Sequence, residues 1–361
     1  MTILLNEYTM TTDELYMTRC LQLAAKGRFE TAPNPMVGAV IVHNGNIIGE
    51  GYHRQCGEPH AEVNAVRSVK DEQLLREATM YVSLEPCAHY GKTPPCADMI
   101  IERRIPRVVI GCRDSFDQVD GKGIQKLREA GVEVTVGVLE RECLELNRAF
   151  FTFHGMKRPY ITLKWAQSSD GHIDCQRSSN DSQQMIKPIR FSTNETASRV
   201  HRLRALNDAI LVGRRTAELD NPSLTTRLWP GRNPLRLVID KEKILERNLN
   251  LFDRTRETVV FTDVFRNSVA HDGVEQVVLD FTRNILPQIM NYLYEHKVQR
   301  LLVEGGSMLL QSFIDSGLWD EAFVEVAPFN LGSGVKAPYI SDKYKREEIG
   351  SFGHQIYHFL H

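Results

Sequence analysis

The sequence predicts two α/β domains in a single chain. Predicted strands and helices alternate along its length, which is typical of layered α/β folds with parallel strand pairs. A chain of 361 residues suits two domains better than one. The alternation breaks near residues 146–158, where phenylalanines cluster. We therefore expect a first domain at residues 1–147 and a second at residues 148–361.

Apolar periodicity and turn residues define the elements of the first half. A helix is predicted at residues 14–25, and an Asn44-Gly45 turn joins two predicted strands as a hairpin. Pro59 is a suitable residue for opening a helix, so a helix is expected from His60. The predicted strands are residues 36–42, 47–51, 79–84, 107–111 and 132–138, and a further helix is predicted at 97–104.

Composition excludes several classes of protein. The formal net charge of −2 provides no global basic field for nucleic acid. No apolar run approaches the roughly 18 residues of a membrane span, and residues 1–12 lack a signal-peptide pattern. Seven cysteines at irregular spacing do not form a disulfide framework. Their number and spacing favour a reducing cytoplasm and metal binding.

A histidine, a glutamate and two cysteines predict a catalytic zinc site. His60 and Glu62 stand two residues apart, and Cys87 and Cys96 follow later in the chain. One imidazole and two thiolates fill three tetrahedral positions and leave the fourth open for water. Each residue alone is more often an ordinary core or surface side chain, but the combination is typical of zinc deaminases. His89 is a possible fourth ligand, but a closed site would leave Glu62 without a water to deprotonate, so we interpret His89 as a substrate contact.

The chemistry expected at this site is hydrolytic deamination. Zinc lowers the pKa of its water toward about 7. Glu62 is expected to take that proton and return it to the leaving amine. The helix from His60 would turn its positive end toward the reacting water.

The long spacing between the cysteines distinguishes this chain from most zinc deaminases. Eight residues separate Cys87 from Cys96, whereas cytidine and adenosine deaminases usually have two. This spacing and the sequence motifs at residues 31–38, 57–62 and 84–89 closely resemble those of the bifunctional riboflavin-biosynthesis deaminase–reductase family. The resemblance extends over nearly the whole chain. The resemblance implies a cytidine-deaminase-like three-layer α/β/α sandwich followed by a dihydrofolate-reductase-like α/β domain. It also implies zinc-dependent deamination of 2,5-diamino-6-(5-phosphoribosylamino)pyrimidinone, then NADPH reduction of the product's ribose to ribityl.

The resemblance assigns roles to residues of the first half. His60, Cys87 and Cys96 become zinc ligands, and Glu62 becomes the proton shuttle. The implied substrate contacts are Asn34 at the pyrimidine, and His89 and Lys92 near the phosphate. The charge of Lys92 suits a phosphomonoester. The alternative for Lys92 is a solvated loop lysine.

The second half carries a weaker set of motifs. A strand is predicted at residues 159–166, before Ser168-Ser169-Asp170-Gly171, and another at 300–304 runs into Gly305-Gly306 and a helix. Such a turn offers backbone N–H groups to a pyrophosphate, although it is also an ordinary connector. No Gly-x-Gly-x-x-Gly fingerprint is present. The resemblance implies substrate contacts at Arg204, Leu224, Arg227 and Glu304. It implies NADPH contacts at Ala166, Thr216, Asp220, Gly306 and Ser307, with Lys164 and Asp170 as candidates for the reductase chemistry.

Departures from the family leave alternatives open. Residues 174–190 form a longer, more polar segment than the family's, and Arg214-Arg215 replaces smaller residues. These two arginines either contact the 2′-phosphate of NADPH or are solvated. A second interpretation keeps the deaminase but treats the reductase half as a catalytically impaired binding or dimerisation module. A third interpretation is a nucleic-acid deaminase, but the sequence lacks the platform of aromatic and basic residues that binds nucleic acid. We expect a homo-oligomer, either a dimer or a tetramer.

Overall fold

The structure, a computed structural model, describes residues 10–90, 94–114, 121–177, 188–263 and 273–361. The chain groups into two compact units, the first ending at Met156 and the second beginning at Lys157. The helix Arg148–Met156 therefore groups with the first unit, and the boundary expected between residues 147 and 148 stays a prediction. None of the helices in the described ranges combines the length and the apolar character of a membrane span.

The first unit is built on a five-stranded sheet in the order β2-β1-β3-β4-β5. The hairpin strands β1 and β2 are antiparallel, β1 is antiparallel to β3, and β3, β4 and β5 run parallel. The strands are β1 (Gly38–His43), β2 (Asn46–Tyr52), β3 (Thr79–Leu84), β4 (Arg107–Cys112) and β5 (Glu133–Val136). The helices are α1 (Thr12–Ala24), α2 (Ala61–Ser68), α3 (Cys96–Glu102), α4 (Lys122–Glu129), α5 (Glu140–Leu146) and α6 (Arg148–Met156).

Alternating side chains of β1 give this sheet two apolar faces. Ala39 and Ile41 are buried in one cluster with residues of α2, α3 and α4. Val40 and Val42 are buried in a second cluster with residues of α1 and α5. Because successive side chains of a strand point to opposite faces, helices cover the sheet on both sides. The predicted three-layer α/β/α sandwich is confirmed.

Local sequence signals explain where elements begin and turn. Thr11 and Glu14 form a capping box: the Thr11 hydroxyl accepts from the Glu14 amide at 3.2 Å, and the Glu14 carboxylate accepts from the Thr11 amide at 2.8 Å. This cap begins α1 at Thr12, two residues earlier than the apolar pattern predicts. Asn44 and Gly45 have φ of 49° and 75°, the left-handed geometry of a tight hairpin turn.

The second unit contains a nine-stranded sheet in the order β11-β10-β9-β8-β12-β6-β13-β16-β15 and a two-stranded pair of β14 with β7. Its strands are β6 (Tyr160–Ser168), β7 (His172–Asp174), β8 (Ala209–Gly213), β9 (Leu235–Ile239), β10 (Thr258–Thr262), β11 (Val274–Val278), β12 (Arg300–Glu304), β13 (Glu321–Ala327), β14 (Val335–Lys336), β15 (Lys345–Ser351) and β16 (Gln355–Leu360). Its helices are α7 (Asn194–Leu206), α8 (Arg214–Asp220), α9 (Ile285–Glu295) and α10 (Ser307–Asp315).

Parallel strands form most of the large sheet. In the sheet order, the strands from β11 to β13 pair in parallel, and β16 and β15 add antiparallel pairs at one edge. One apolar cluster joins alternate residues of β6, including Ile161 and Leu163, to α9 and α10. Another joins Ile210 and Val212 of β8 to α8 on the opposite face. Parallel strands covered on both faces agree with the predicted α/β reductase fold.

Gly51 provides a test of how α2 is seated on the sheet. A Cβ at this position would lie 2.3 Å from the Ala65 amide nitrogen and 2.4 Å from the Ala61 carbonyl oxygen. Gly51→Ala should therefore push α2 away from β2 and lower the free energy of unfolding of the first unit by about 1–3 kcal/mol. Urea titration followed by circular dichroism measures this change.

Gly155→Ala is the matched control for this prediction. Its Cβ would meet no heavy atom within 4 Å, and alanine is favoured over glycine in a helix by up to about 1 kcal/mol. The control should be neutral or slightly stabilising. Equal effects of the two substitutions would contradict the close packing of α2 on β2.

Candidate active sites

Three element ends in the first unit bring His60, Cys87 and Cys96 together. His60 is the N-cap of α2, Cys87 lies just beyond β3, and Cys96 is the first residue of α3. The His60 Nδ1 atom is 3.6 Å from Cys87 Sγ and 3.4 Å from Cys96 Sγ. All three potential ligand atoms lie within 4.8 Å of one another. One imidazole and two thiols in this geometry fit zinc, with one position left for water.

The surroundings favour a thiolate at Cys87 and a protonated thiol at Cys96, because the hydrogen bond between the two sulfurs and burial raise the pKa of Cys96 well above its ordinary value. Hydrogen bonds from the Cys96 thiol and from His60 lower the pKa of Cys87 to about 4, and the hydrogen bond to Cys87 raises the pKa of His60 to about 9. The Cys96 amide also donates to Cys87 Sγ at 3.3 Å. A metal ion takes the place of the protons that these groups otherwise share. The donor set is therefore chemically suited to a divalent cation.

Glu62 is a buried carboxyl group in the first turn of α2, 3% exposed. Burial raises its pKa to about 6, partly opposed by the charge of His60. A carboxyl group with a pKa near neutrality exchanges protons readily at physiological pH. Glu62 thus lies beside the ligands in the form that the sequence analysis expected of a proton shuttle.

Asn34 contacts a histidine that the sequence analysis missed. The Asn34 side-chain nitrogen lies 3.1 Å from His53 Nε2, and His53 Nδ1 lies 3.2 Å from the Pro59 carbonyl oxygen. The carbonyl fixes the proton on Nδ1, so Nε2 accepts from the Asn34 amide. His53 is buried, its pKa is lowered by burial, and its ring meets that of His60 edge-on at 5.5 Å. The sequence offered no signal for this contact beyond the position of His53 after β2.

The remaining predicted contacts of the deaminase site lie in the segment between the two cysteines. His89 is exposed, and among the described residues only His60, Cys87 and Cys96 form the metal-ligand group. His89 as a substrate contact stays a prediction. Lys92 lies outside the described residues.

Lys164 and Glu304 lie side by side in the large sheet of the second unit. They are register partners on the parallel strands β6 and β12. Arg204 of α7 holds the Glu304 carboxylate with two hydrogen bonds of 3.2 and 2.8 Å. Burial raises the pKa of Glu304, but the charge and hydrogen bonds of Arg204, aided by Lys164, outweigh burial and leave it below its ordinary value. Glu304 is therefore a carboxylate held in place by ion pairs.

Thr225, in the loop after α8, accepts hydrogen bonds from both Arg204 and Arg227. Arg204 Nη1 donates to the Thr225 carbonyl at 3.2 Å, and Arg227 Nη1 donates to the Thr225 hydroxyl at 2.8 Å. His201, a buried residue missed from sequence, accepts from the Arg227 amide at 2.9 Å. Leu224 is 1% exposed and packs in an apolar cluster. Its contact with the substrate stays a prediction.

The glycine turn after β12 is tied to α8. The Thr216 hydroxyl accepts from the Gly306 amide at 2.9 Å, and Gly305 has φ of 113°. Gly306 is the N-cap of α10, whose first residue is Ser307, and the N–H groups in the first turn of a helix have no partner within that helix. This cradle suits the pyrophosphate of NADPH.

Two further predicted cofactor positions, Ala166 and Asp220, lie on β6 and at the end of α8. Ala166 lies on β6, two residues beyond Lys164. Asp220 accepts from Arg177 at 2.5 Å, and Arg177 also pairs with Asp174. Arg215 donates to the Arg177 carbonyl at 2.8 Å. The described start of the segment that departs from the family, residues 174–177, is thus anchored to α8.

Two predicted residues are engaged within the protein. Asp170 accepts from the Ser168 hydroxyl and from the Leu331 and Gly332 amides, which hold its pKa well below its ordinary value. It anchors the loop after β13, and a part in the reductase chemistry stays a prediction. Arg214 pairs with Glu242 at 3.1 Å, and its contact with the 2′-phosphate also stays a prediction.

Each half of the chain matches a known protein family. The family model of the cytidine and deoxycytidylate deaminase zinc-binding region matches residues 10–112. The RibD C-terminal domain model matches residues 159–349, more than half of the chain. The chain belongs to the RibD family. It is 39% identical to riboflavin biosynthesis protein RibD of Aquifex aeolicus, over 90% of this chain and 89% of that protein. It is 36% identical to RibD of Escherichia coli, over 90% of each.

Solved structures agree over the full length. The structure of a diaminohydroxyphosphoribosylaminopyrimidine deaminase/5-amino-6-(5-phosphoribosylamino)uracil reductase from Thermotoga maritima superposes with a TM-score of 0.85 at 37% identity, covering 97% of this chain and 98% of that one. RibD of Acinetobacter baumannii superposes with a TM-score of 0.84 at 31% identity, with the same coverage. The predicted bifunctional family is confirmed: the chain is a zinc-dependent deaminase joined to an NADPH-dependent reductase. None of these matches favours an impaired reductase half.

His201 makes the stability of the second unit sensitive to acid. Burial, followed by the charges of Arg204 and Arg227, lowers its pKa to about 4, whereas an unfolded histidine titrates near about 6.5. Between these values the unfolded chain binds a proton that the folded chain does not, so stability falls as pH drops from about 6.5 to about 4. In His201→Gln this decline should be smaller.

Tryptophan fluorescence reports the unfolding of the second unit specifically, because all three tryptophans lie in that unit. Urea titrations across this pH range should separate His201→Gln from the wild type. The control is His296→Gln, at an exposed histidine of the same unit. An unchanged acid decline in His201→Gln would show that His201 is not the group responsible.

Proposed function

We propose that the first unit deaminates 2,5-diamino-6-(5-phosphoribosylamino)pyrimidinone, and that the second reduces the ribose of the deaminated product to ribityl. The observation that carries the first step is the cluster of His60, Cys87 and Cys96 beside the buried Glu62. The Thermotoga maritima relative, a deaminase and reductase of these two classes of compound, supports both substrates. In this proposal a water adds at the amino-bearing ring carbon, and ammonia leaves.

Each residue of the deaminase site has a distinct task. Zinc, when bound by His60, Cys87 and Cys96, supplies an acidified water. Glu62, buried beside the ligands, would accept a proton at its carboxylate and pass it to the leaving amine. The hydrogen bond to His53 fixes the Asn34 amide, so its carbonyl oxygen is presented to a pyrimidine donor.

In the reductase site, charge compensation supports a role for each residue. When bound, NADPH would supply a hydride for C1 of the ribosyl group, while the C1–O bond of the sugar ring breaks and its oxygen takes up a proton. Glu304 is paired with Arg204 and lies beside Lys164, and these three groups would orient the sugar hydroxyls. Arg227 has no carboxylate partner among the described residues, whereas Arg204 is paired with Glu304. Arg227 is therefore a stronger candidate than Arg204 for binding the substrate phosphate. The Gly306 turn and the start of α10 would hold the cofactor's pyrophosphate.

We also propose a cytoplasmic homo-oligomer, a dimer or a tetramer. The cysteine usage supports the location, because all seven cysteines are unpaired in the structure. Light scattering coupled to gel filtration determines the assembly directly, and a monomeric mass would exclude it.

Reciprocal substitutions separate the two activities. Glu62→Ala should lower ammonia release by about 100-fold or more yet still reduce supplied deaminated intermediate. Glu304→Gln should keep ammonia release and lose NADPH oxidation, because the neutral amide no longer balances Arg204 and Lys164. Ammonia release and NADPH absorbance measure the two steps on one sample.

Each variant serves as the control for the other, since the unaffected activity reports that the chain is folded. Retained deamination in Glu62→Ala would refute the proton-shuttle role. Absent NADPH oxidation by the wild type, with intermediate supplied, would refute the reductase assignment.

A further inference from the structure

Glu85 is a buried carboxylate two residues before the zinc ligand Cys87. It is 4% exposed, and four backbone amides donate to it. The Gly123 and Ile124 amides donate to Oε1 at 3.0 and 3.1 Å. The Asp114 and Gly121 amides donate to Oε2 at 3.3 and 3.1 Å. Both carboxylate oxygens are therefore fully engaged by the backbone.

These donors come from two separate elements. Asp114 lies just beyond β4, whereas Gly121 is the N-cap of α4 and Gly123 and Ile124 lie in its first turn. The free amides and positive end of a helix stabilise a carboxylate. Glu85 thus connects the end of β3 to the end of β4 and to the start of α4. A carboxylate buried without such donors would be strongly unfavourable.

The same residue determines the path of the chain into Cys87. The Glu85 amide continues the β3–β4 ladder by donating to the Cys112 carbonyl at 3.0 Å. The next carbonyl, that of Pro86, packs so closely on Gly123 that a Cβ there would lie 2.0 Å away. These two contacts hold the backbone on the side of Cys87 that faces β4 and α4.

The opposite side of Cys87 is held by α3. The Cys87 carbonyl accepts from the Ala97 amide at 3.1 Å, and its sulfur accepts from the Cys96 amide at 3.3 Å. Cys96 needs no comparable support, since it belongs to a helix. Cys87 instead stands in an irregular segment, and on the side away from α3 the contacts of Glu85 and Pro86 hold it.

We propose that Glu85 is a positioning residue that sets the Cys87 thiolate for zinc. It acts through the backbone and touches neither substrate nor metal. The inference rests on the proposed deaminase function, and it adds a residue to which neither the motif nor the resemblance gives a role. Zinc is sensitive to ligand placement, and loss of a supporting contact typically costs about 10–100-fold in metal affinity or activity.

Glu85→Gln tests the proposal with almost no change of volume. The amide nitrogen would face two of the four N–H donors, so one pair of hydrogen bonds is lost. We expect zinc to be released to a chromophoric chelator about 10–100-fold faster. We also expect a lower kcat for ammonia release with little change in KM, while reduction of supplied intermediate keeps its wild-type rate. The matched control is Glu102→Gln, an exposed carboxylate on α3, which should behave as wild type.

Gly123→Ala tests the same connection without changing a charge. Its Cβ would displace the Pro86 carbonyl from α4, so zinc release should again accelerate. In the cobalt-substituted enzyme, the thiolate-to-cobalt absorption band should shift in both variants and stay unchanged in Glu102→Gln. A residue that only stabilised the fold would lower the unfolding midpoint without moving this band.

A measurement on the unaltered chain covers the case in which these variants fail to fold. Zinc loading should slow hydrogen exchange at the Gly123 and Ile124 amides, which contact no ligand atom directly. Wild-type zinc release and an unshifted cobalt band in Glu85→Gln would overturn the proposal, as would exchange indifferent to zinc. If the wild type binds zinc but releases no ammonia, the proposed function fails, while the zinc measurements still decide the role of Glu85.

Discussion

The convergence of one imidazole and two thiols within 4.8 Å is the constraint on which the first unit depends. The three donors are far apart in sequence, so the sheet must place three element ends at one point. Parallel pairing of β3 with β4 directs their ends to the same edge. The close seating of α2 on β2 at Gly51 then aims the helix that begins after His60. Glu62 follows in the first turn and is buried by the same packing.

The second unit meets a comparable constraint with charge rather than with metal ligands. Glu304 ends β12 in register with Lys164 on β6, and Arg204 reaches the pair from α7. Removing one member of a buried ion pair leaves an uncompensated charge, which costs more than the pair itself contributes. The geometry of the three residues is therefore interdependent. Glu304, at the end of β12, again puts polar chemistry at the carboxyl edge of a parallel sheet.

The sequence was sufficient for features that are encoded locally. Some strands with clear apolar runs were predicted to the residue, as at Thr79–Leu84, and the sequence motif singled out His60, Cys87 and Cys96, whose potential ligand atoms the fold brings within 4.8 Å of one another. Helix α1 was predicted only from residue 14, although it begins at Thr12, because the Thr11 cap stabilises a polar first turn without an apolar pattern. The contacts of Glu85, His53 and His201 could not be predicted. Glu85 binds amides 29 to 39 residues away, and no local pattern records such a distance.

Three buried glutamates show how surroundings set the task of one side chain. Glu62 has little compensation for burial, so its pKa rises to about 6 and it suits proton transfer. Glu304 is compensated by Arg204 and Lys164, so its pKa falls and it stays charged. Glu85 is compensated by four backbone amides, which fix it in place and leave no lone pair directed at a reactant. Sequence alone presents three identical residues, and only their neighbours distinguish a proton carrier, an orienting charge and a support for the chain.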